Sequence, residues 1–349
     1  LRMTLLLAIL AGLFFRLYRL NDFFYFTHDE ETIAWRVMPL IRDGNPFLLG
    51  GVTPFHVHLG PWFYYLSAAI LKLFSFDPLG WGIAAAIFSL LTMVLIFYAG
   101  SLLFNHRVGL IALIFYTISF FMIAFDRHWW PLYFGPLISL TVFISLYHWI
   151  KHKSIFLLPL SLALAFGFHT DPSNWALLLL VIITWIKFKP KLDKKYAYIS
   201  LFIFIASCIP LVVFDILPRG VNLSGINQYF GETQPHQGLS LSRFWQVLLF
   251  IPQGLSRLIY AGTADLTSIY SYCRQLMVIN PMLIGITITA LIGFAVLAYR
   301  YRRQPAYWLI NTYFLIIFAS LNFYGNFFNS DLFPHYLASL FPLFFLILA

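Results

Sequence analysis

Long apolar runs separated by short polar joints make up most of this chain. A helix needs about 20 predominantly apolar residues to cross the hydrocarbon core of a bilayer. Runs of that character recur at roughly 3–20, 80–103, 108–125, 132–150, 155–168, 173–187, 197–214, 279–299, 306–321 and 335–349. Arg16 and Arg19, near the end of the first run, are expected to snorkel to the interface. The stretch 21–60 is different. Ile33, Val37, Leu40 and Ile41 recur at helical spacing opposite Arg36, Arg42 and Asp43, which predicts a short amphipathic helix lying on the membrane and ended by Gly44-Asn45-Pro46.

Two further apolar runs are ambiguous by length, and charge decides them. Residues 62–76 are short, interrupted by Lys72 and closed by Asp77-Pro78; residues 244–262 carry Pro252, Gly254 and Arg257. If neither spans, Arg2, Arg107, Lys151, Lys153, the lysines from Lys187 to Lys195, and Arg300, Arg302 and Arg303 all fall on one side. Asp193 is then the single acidic residue there. Counting either run as a span breaks that asymmetry. The positive-inside rule therefore favours about ten spans with the N-terminus cytoplasmic. The expected fold is all-α and polytopic, a single transmembrane domain over 1–349. Residues 21–79, with amphipathic interfacial helices, form a first external loop, and 215–278 form a large external one with a partly embedded helical portion.

Composition agrees. The chain is 61% hydrophobic and only 10% charged, where soluble domains average about 25% charged residues. Mean hydropathy is +0.82. The net charge of +9 does not indicate nucleic acid, because the basic residues sit in short inter-span clusters. Two cysteines, Cys208 and Cys273, support neither a disulfide framework nor a metal site. The first apolar run lacks a small-residue cleavage site and is expected to be a retained helix. The chain starts and stops inside apolar sequence, as a fragment of a longer protein would.

The external joints collect nearly all the unusual polar residues: Asp29-Glu30-Glu31, His56 and His58, Asp126-Arg127-His128, His169 and Asp171, Asp215 and Arg219, Glu232 and His236, and Asp331, His335 and Tyr336. Interfacial charges are tolerated more cheaply than midplane ones, so each joint taken alone reads equally well as solvated loop. Together they suggest loops converging on one cavity. A carboxylate there can deprotonate a hydroxyl or amine, and a cation such as Arg127 can hold a phosphate. No G-x-x-x-x-G-K-[ST] phosphate loop, D-x-D pair or G-x-S-x-G elbow occurs. An external site without a soluble-nucleotide signature suits a substrate that arrives through the lipid.

The order of motifs resembles the GT-C membrane glycosyltransferases, specifically the protein mannosyltransferase and aminoarabinose transferase branch. The residues that carry the resemblance are His28-Asp29-Glu30, Leu59-Gly60-Pro61-Trp62-Phe63-Tyr64-Tyr65 and Asp126-Arg127-His128-Trp129-Trp130-Pro131. His169, Val213-Phe214-Asp215 and His335-Tyr336 with Pro342 are also similar. The resemblance implies inverting transfer of a sugar from a polyprenyl-phosphate donor to a lipid, glycan or protein acceptor on the extracytoplasmic face of the plasma membrane. It implies Asp29 as general base and Glu30 as its supporting neighbour, or as the base if the register differs by one. Arg127 would stabilise the leaving phosphate, and His58, His128, His169, His335 and Tyr336 would line the pocket. No cofactor is expected from this branch, although clustered carboxylates and histidines could take a divalent ion. No soluble external domain and no first-loop lysine of the kind some relatives have is visible; His56 or His58 would substitute for the lysine. The alternatives are a lipid-linked substrate transporter or flippase, and a glycan polymerase or ligase. Transporters favour midplane charges and repeated halves, neither of which is seen here.

Overall fold

The computed structural model describes residues 2–24, 26–53, 56–216, 220–222, 224–225, 227, 240–260, 281–327 and 332–349. Arg219, Glu232, His236, Cys273 and Asp331 lie outside the described residues. All the regular elements described are helical, and the one extended pairing is an isolated antiparallel bridge between Val52 and His58.

The helices are α1 (Arg2–Leu17), α2 (Leu20–Phe23), α3 (His28–Asp43), α4 (Trp62–Leu73), α5 (Leu79–Leu103), α6 (His106–Ile118), α7 (Phe120–Phe125), α8 (Gly135–Ile150), α9 (Leu157–Thr170), α10 (Ala176–Phe188), α11 (Lys194–Ile216), α12 (Leu241–Ser256), α13 (Pro281–Arg300), α14 (Pro305–Phe327) and α15 (Phe341–Leu348). Short 3-10 turns lead into α8, α9, α10 and α15. Three of these turns begin at a proline, Pro131, Pro172 or Pro334, whose missing N–H falls where a helix has no use for one.

Helix occupies every one of the apolar runs read as spans. Five described segments are long and apolar enough to cross a membrane: 79–103, 131–150, 194–216, 281–300 and 305–325. Four more, 106–118, 154–170, 172–188 and 334–348, are apolar but shorter. The protein is an all-helical integral membrane protein. α4 has only 12 residues, short of a crossing.

The third apolar run breaks at Ser119. Its backbone is extended (ψ 111°), and its hydroxyl accepts from the Met122 amide at 3.3 Å while donating to the Leu258 carbonyl at 2.8 Å. A serine that caps a new helix and satisfies a distant carbonyl gives the chain reason to stop α6 and restart as α7.

The chain forms two compact units. One comprises 1–19, 86–127 and 237–349, the other 20–85 and 128–236. In the first, α5 and α6 meet closely enough that a Cβ on Gly100 would lie 2.5 Å from Gly109 Cα, so only glycine fits. The side chain of Asn105 accepts from the amides of Arg107 and Val108 and starts α6. α12 packs on α14 and on the turn Pro334–Leu340.

One expectation is overturned in this unit. Arg16 does not snorkel: its side chain is fully buried and pairs with Asp126 at 2.6 Å. A carboxylate in reach outweighs a path to water for a guanidinium, whose fork suits bidentate pairing. Arg19, three residues on, is exposed.

In the second unit α3 packs on α4, α4 on α9, and α9 on both α8 and α11. Ser67 is a joint in its core. Its hydroxyl accepts from Trp129 Nε1 at 2.9 Å and its carbonyl from Trp81 Nε1 at 2.9 Å. Phe63 stacks on Trp129, with ring centroids 5.8 Å apart. α3 ends as expected: Gly44 is left-handed (φ 69°) and its amide reaches the Leu40 carbonyl at 3.1 Å.

Candidate active site

Residue 30 begins the buried stripe of α3. Glu30, Ile33 and Val37 follow helical spacing into the core of the second unit, and Glu30 is completely buried. A carboxylate there needs a donor for nearly every lone pair. One oxygen of Glu30 accepts from the Thr27 amide at 2.9 Å and the Thr27 hydroxyl at 2.8 Å. The other accepts from the Trp129 amide at 3.0 Å and pairs with His128 Nδ1. The first pair of bonds caps the N-terminus of α3. The second ties that end to the segment 128–130, where His128 stacks on Trp130 at 4.9 Å. Glu30 is therefore a bolt between two strips of sequence almost a hundred residues apart.

Asp29 has the opposite environment. One residue is about 100° of helix, which takes its side chain off the buried stripe and leaves it exposed. The surrounding protein still crowds the carboxyl. Partial burial raises its pKa above the ordinary aspartate range, with His128 and His28 pulling down and the Glu30 charge pushing up. Asp29 thus senses His128, which the Glu30 bolt holds in place. Glu31 and His28 form only a loose, exposed pair at 3.8 Å.

Backbone pairing of residues 50–53 with 57–59 organises the other predicted residues of this unit. The Gly50 amide donates to the Leu59 carbonyl at 2.6 Å, and the Leu59 amide to the Gly51 carbonyl at 2.8 Å. His58 sits in this pairing. The Asn222 side-chain oxygen accepts from the His58 amide at 2.8 Å, so the ring Nδ1 at 3.1 Å from the same oxygen must be the donor. In neutral His58 the lone pair is consequently on Nε2. Asn222 is itself held by its amide, which donates to Asp215 at 2.7 Å. His169, buried at the end of α9, contacts Ser207 Oγ through Nε2 at 3.2 Å. Its other nitrogen lies where a Cβ on Gly60 would be; glycine at 60 is the condition for His169 to occupy that place.

The remaining candidates belong to the first unit. Arg127 donates from one terminal nitrogen to the carbonyls of Phe15 and Tyr18, the latter at 2.8 Å, just past the buried Arg16–Asp126 pair. Asp126 also accepts from Ser89 at 2.6 Å and Tyr116 at 2.8 Å. His335 stacks on Phe333 at 5.4 Å and meets Tyr336 edge-on at 4.8 Å. Tyr336 faces the Tyr324 hydroxyl at 3.5 Å. Among the described residues no group of three or more His, Cys, Asp or Glu is placed to hold a metal ion.

Sequence reasoning gave no site role to Arg36 or Tyr64. Arg36 lies over the ring of Tyr64, its guanidinium carbon 5.5 Å from the centroid. Both Arg36 and Asp29 act electrostatically on the Tyr64 hydroxyl. The available signal was the spacing: residues 29 and 36 are seven apart and share a helix face.

No protein-family model and no curated protein matches the sequence. Solved structures do. The apo crystal structure of the Archaeoglobus fulgidus oligosaccharyltransferase superposes with a TM-score of 0.56 at 13% identity, over 99% of this chain and 49% of that one. The same enzyme, AglB, in complex with an inhibitory peptide and a dolichol-phosphate gives a TM-score of 0.55 at 12% identity, over 99% of this chain and 49% of that one. The chain thus spans about half the length of the structures it matches. What it shares with them is a fold.

Proposed function

We propose that the protein transfers a sugar from a polyprenyl-phosphate donor to an acceptor at the extracytoplasmic face of the membrane, with inversion, and that Asp29 is the general base. The observation that carries this is the contrast at the start of α3. Glu30 spends its oxygens on Thr27, Trp129 and His128, whereas Asp29, exposed beside the same His128, keeps a carboxylate open for a substrate. Asp29 removes the proton of the acceptor hydroxyl or amine. The freed lone pair attacks the anomeric carbon, the bond from that carbon to the phosphate oxygen breaks, and the electron pair leaves with the lipid phosphate. A base held near the operating pH is more effective than an ordinary aspartate, and the upward pKa shift of Asp29 is in that direction.

Glu30 and His128 are positioning residues in this scheme. His58 and His169 are the pocket residues of the unit that holds Asp29, His58 offering Nε2 as an acceptor for a sugar or acceptor hydroxyl. Binding of a phosphate by Arg127 would require its guanidinium to exchange carbonyls for the ligand. The oligosaccharyltransferase neighbour, solved with a dolichol-phosphate and a peptide, supports a lipid-linked donor for a protein of this fold. The test uses purified protein in liposomes with radiolabelled polyprenyl-phosphate hexoses and crude membrane acceptors. Release of free lipid phosphate that Asp29→Asn abolishes is the expected result. Labelled lipid crossing the bilayer without release would overturn the assignment in favour of a flippase.

A further inference from the structure

We infer that Arg36 and Tyr64 form the corner that binds the phosphate of the lipid-linked donor, so that one helix face carries both the base and the leaving-group cation. This inference rests on the transfer reaction proposed above. Arg36 is the cation of the second unit best placed for the task. It is partly exposed, and among the described residues its guanidinium meets the face of Tyr64 and makes one long hydrogen bond of 3.5 Å to the Leu49 carbonyl. Two of its three nitrogens have no hydrogen-bond partner among the described residues, and the same is true of the Tyr64 hydroxyl. That hydroxyl lies against Gly51, where a Cβ would stand 3.0 Å from it. A planar guanidinium held over an aromatic ring, with two nitrogens open and a phenol beside it, is suited to phosphate oxygens.

Spacing supplies the second argument. Asp29 and Arg36 are seven residues apart, two turns of α3, and therefore about 10 Å apart along one face. In an in-line displacement the base bonds the acceptor oxygen, which attacks the anomeric carbon from about 3 Å. The leaving oxygen and phosphorus follow on the far side, and a hydrogen bond of about 2.8 Å reaches the cation. Laid end to end these links come to about 13 Å, and the bends at the oxygens and at phosphorus shorten the span to about 10 Å. A base and a cation at this separation bracket the reacting centre from opposite sides. Inversion requires that arrangement.

The test uses the full chain in lipid nanodiscs with farnesyl phosphate, farnesol, inorganic phosphate and phosphatidic acid as probes. Wild-type protein is expected to bind farnesyl phosphate in preference to farnesol. Arg36→Gln should weaken that binding about tenfold or more, the loss of a charged hydrogen-bond donor to an anion. Arg36→Lys should recover part of it, and Tyr64→Phe should cost roughly threefold. In turnover, Arg36→Gln should raise KM for the donor, whereas Asp29→Asn should lower kcat at nearly unchanged KM. Equal binding by wild type and a folded Arg36→Gln overturns the inference and leaves the reaction standing. Equal competition by phosphatidic acid also overturns it, making the corner a general headgroup site. If wild type does not distinguish farnesyl phosphate from farnesol, the proposed reaction falls as well.

Discussion

Two buried carboxylates, one in each unit, look alike as inventory and differ in what surrounds them. Asp126 in the first unit and Glu30 in the second are both essentially inaccessible, and each draws bonds from several donors. Asp126 is matched by Arg16, a cation that never titrates in a protein, and by the hydroxyls of Ser89 and Tyr116. Its neighbour Arg127 is turned to backbone carbonyls. The result is a closed centre that joins α1 to α7. Glu30 is matched by a histidine and by backbone amides, and its neighbour Asp29 is exposed. A closed carboxylate can only hold structure; the Glu30 centre holds structure while presenting a second carboxylate.

The sharpest way to break this comparison is Asp29→Asn. Loss of a general base costs roughly 10²–10⁴-fold in rate, so kcat should fall by that order. Stability should not fall with it. The folded-state pKa of Asp29 is raised, so the native state favours the protonated form, and ionisation opposes folding as pH rises from the unfolded pKa through the folded one. A neutral asparagine removes that opposition. The melting temperature of Asp29→Asn at neutral pH is expected to equal or slightly exceed that of wild type, and a clear drop would make Asp29 a structural residue. The same shift predicts the pH–rate profile: activity that requires ionised Asp29 should be lost as pH falls, with the acid limb displaced above the ordinary aspartate value.

Arg16→Ala should behave in the reverse way. Leaving a buried carboxylate without its cation costs about 3–5 kcal/mol, read as lost yield and thermal stability in detergent. The specific activity of whatever remains folded should be little changed. The double variant Arg16→Met/Asp126→Leu should be more stable than Arg16→Ala, because no charge is stranded. Activity that falls further than the folded fraction would show that the first-unit centre takes part in the chemistry.

Glu30→Gln is intermediate and tests the bolt directly. An amide keeps one oxygen but replaces the other with a donor facing donors, so about 1–3 kcal/mol of stability should be lost. Activity should fall too, since His128 and the start of α3 lose their tie. His128→Ala should reproduce the activity loss and should not add to it in the double variant, the signature of residues acting as one unit.

The fold was legible where periodicity is long and uniform. Apolar runs marked where the described helices fall, five of them long enough to cross a membrane, because burial in lipid leaves a chain few options besides helix. Two things escaped. The break at Ser119 did, since the carbonyl it satisfies belongs to Leu258, far along the chain. Arg16 was misread because rules for the interface describe a lone helix, whereas Asp126 is brought to it only by tertiary packing. Composition and the order of motifs put forward Asp29, Glu30 and His128 as candidates, but could not rank the two carboxylates. Ranking needs burial, and burial depends on which side of α3 meets Trp129. Arg36 was visible only as the polar side of an amphipathic helix, and nothing in the sequence puts Tyr64 under its guanidinium.

The smallest predicted effect completes the acidic triplet. Glu31 points to solvent, and its partner His28 is 3.8 Å away and almost fully exposed. Such pairs contribute about 0–1 kcal/mol. Glu31→Gln should therefore leave the melting temperature within error and kcat within about twofold. Three adjacent carboxylates of similar intrinsic chemistry would then give three different responses: loss of turnover at 29, loss of stability with turnover at 30, and almost nothing at 31. A comparable loss of turnover at 29 and 31, with stability intact, would mean that local negative charge matters and not a positioned base. The contrast between the open and the closed carboxylate would then have to be drawn from electrostatics alone.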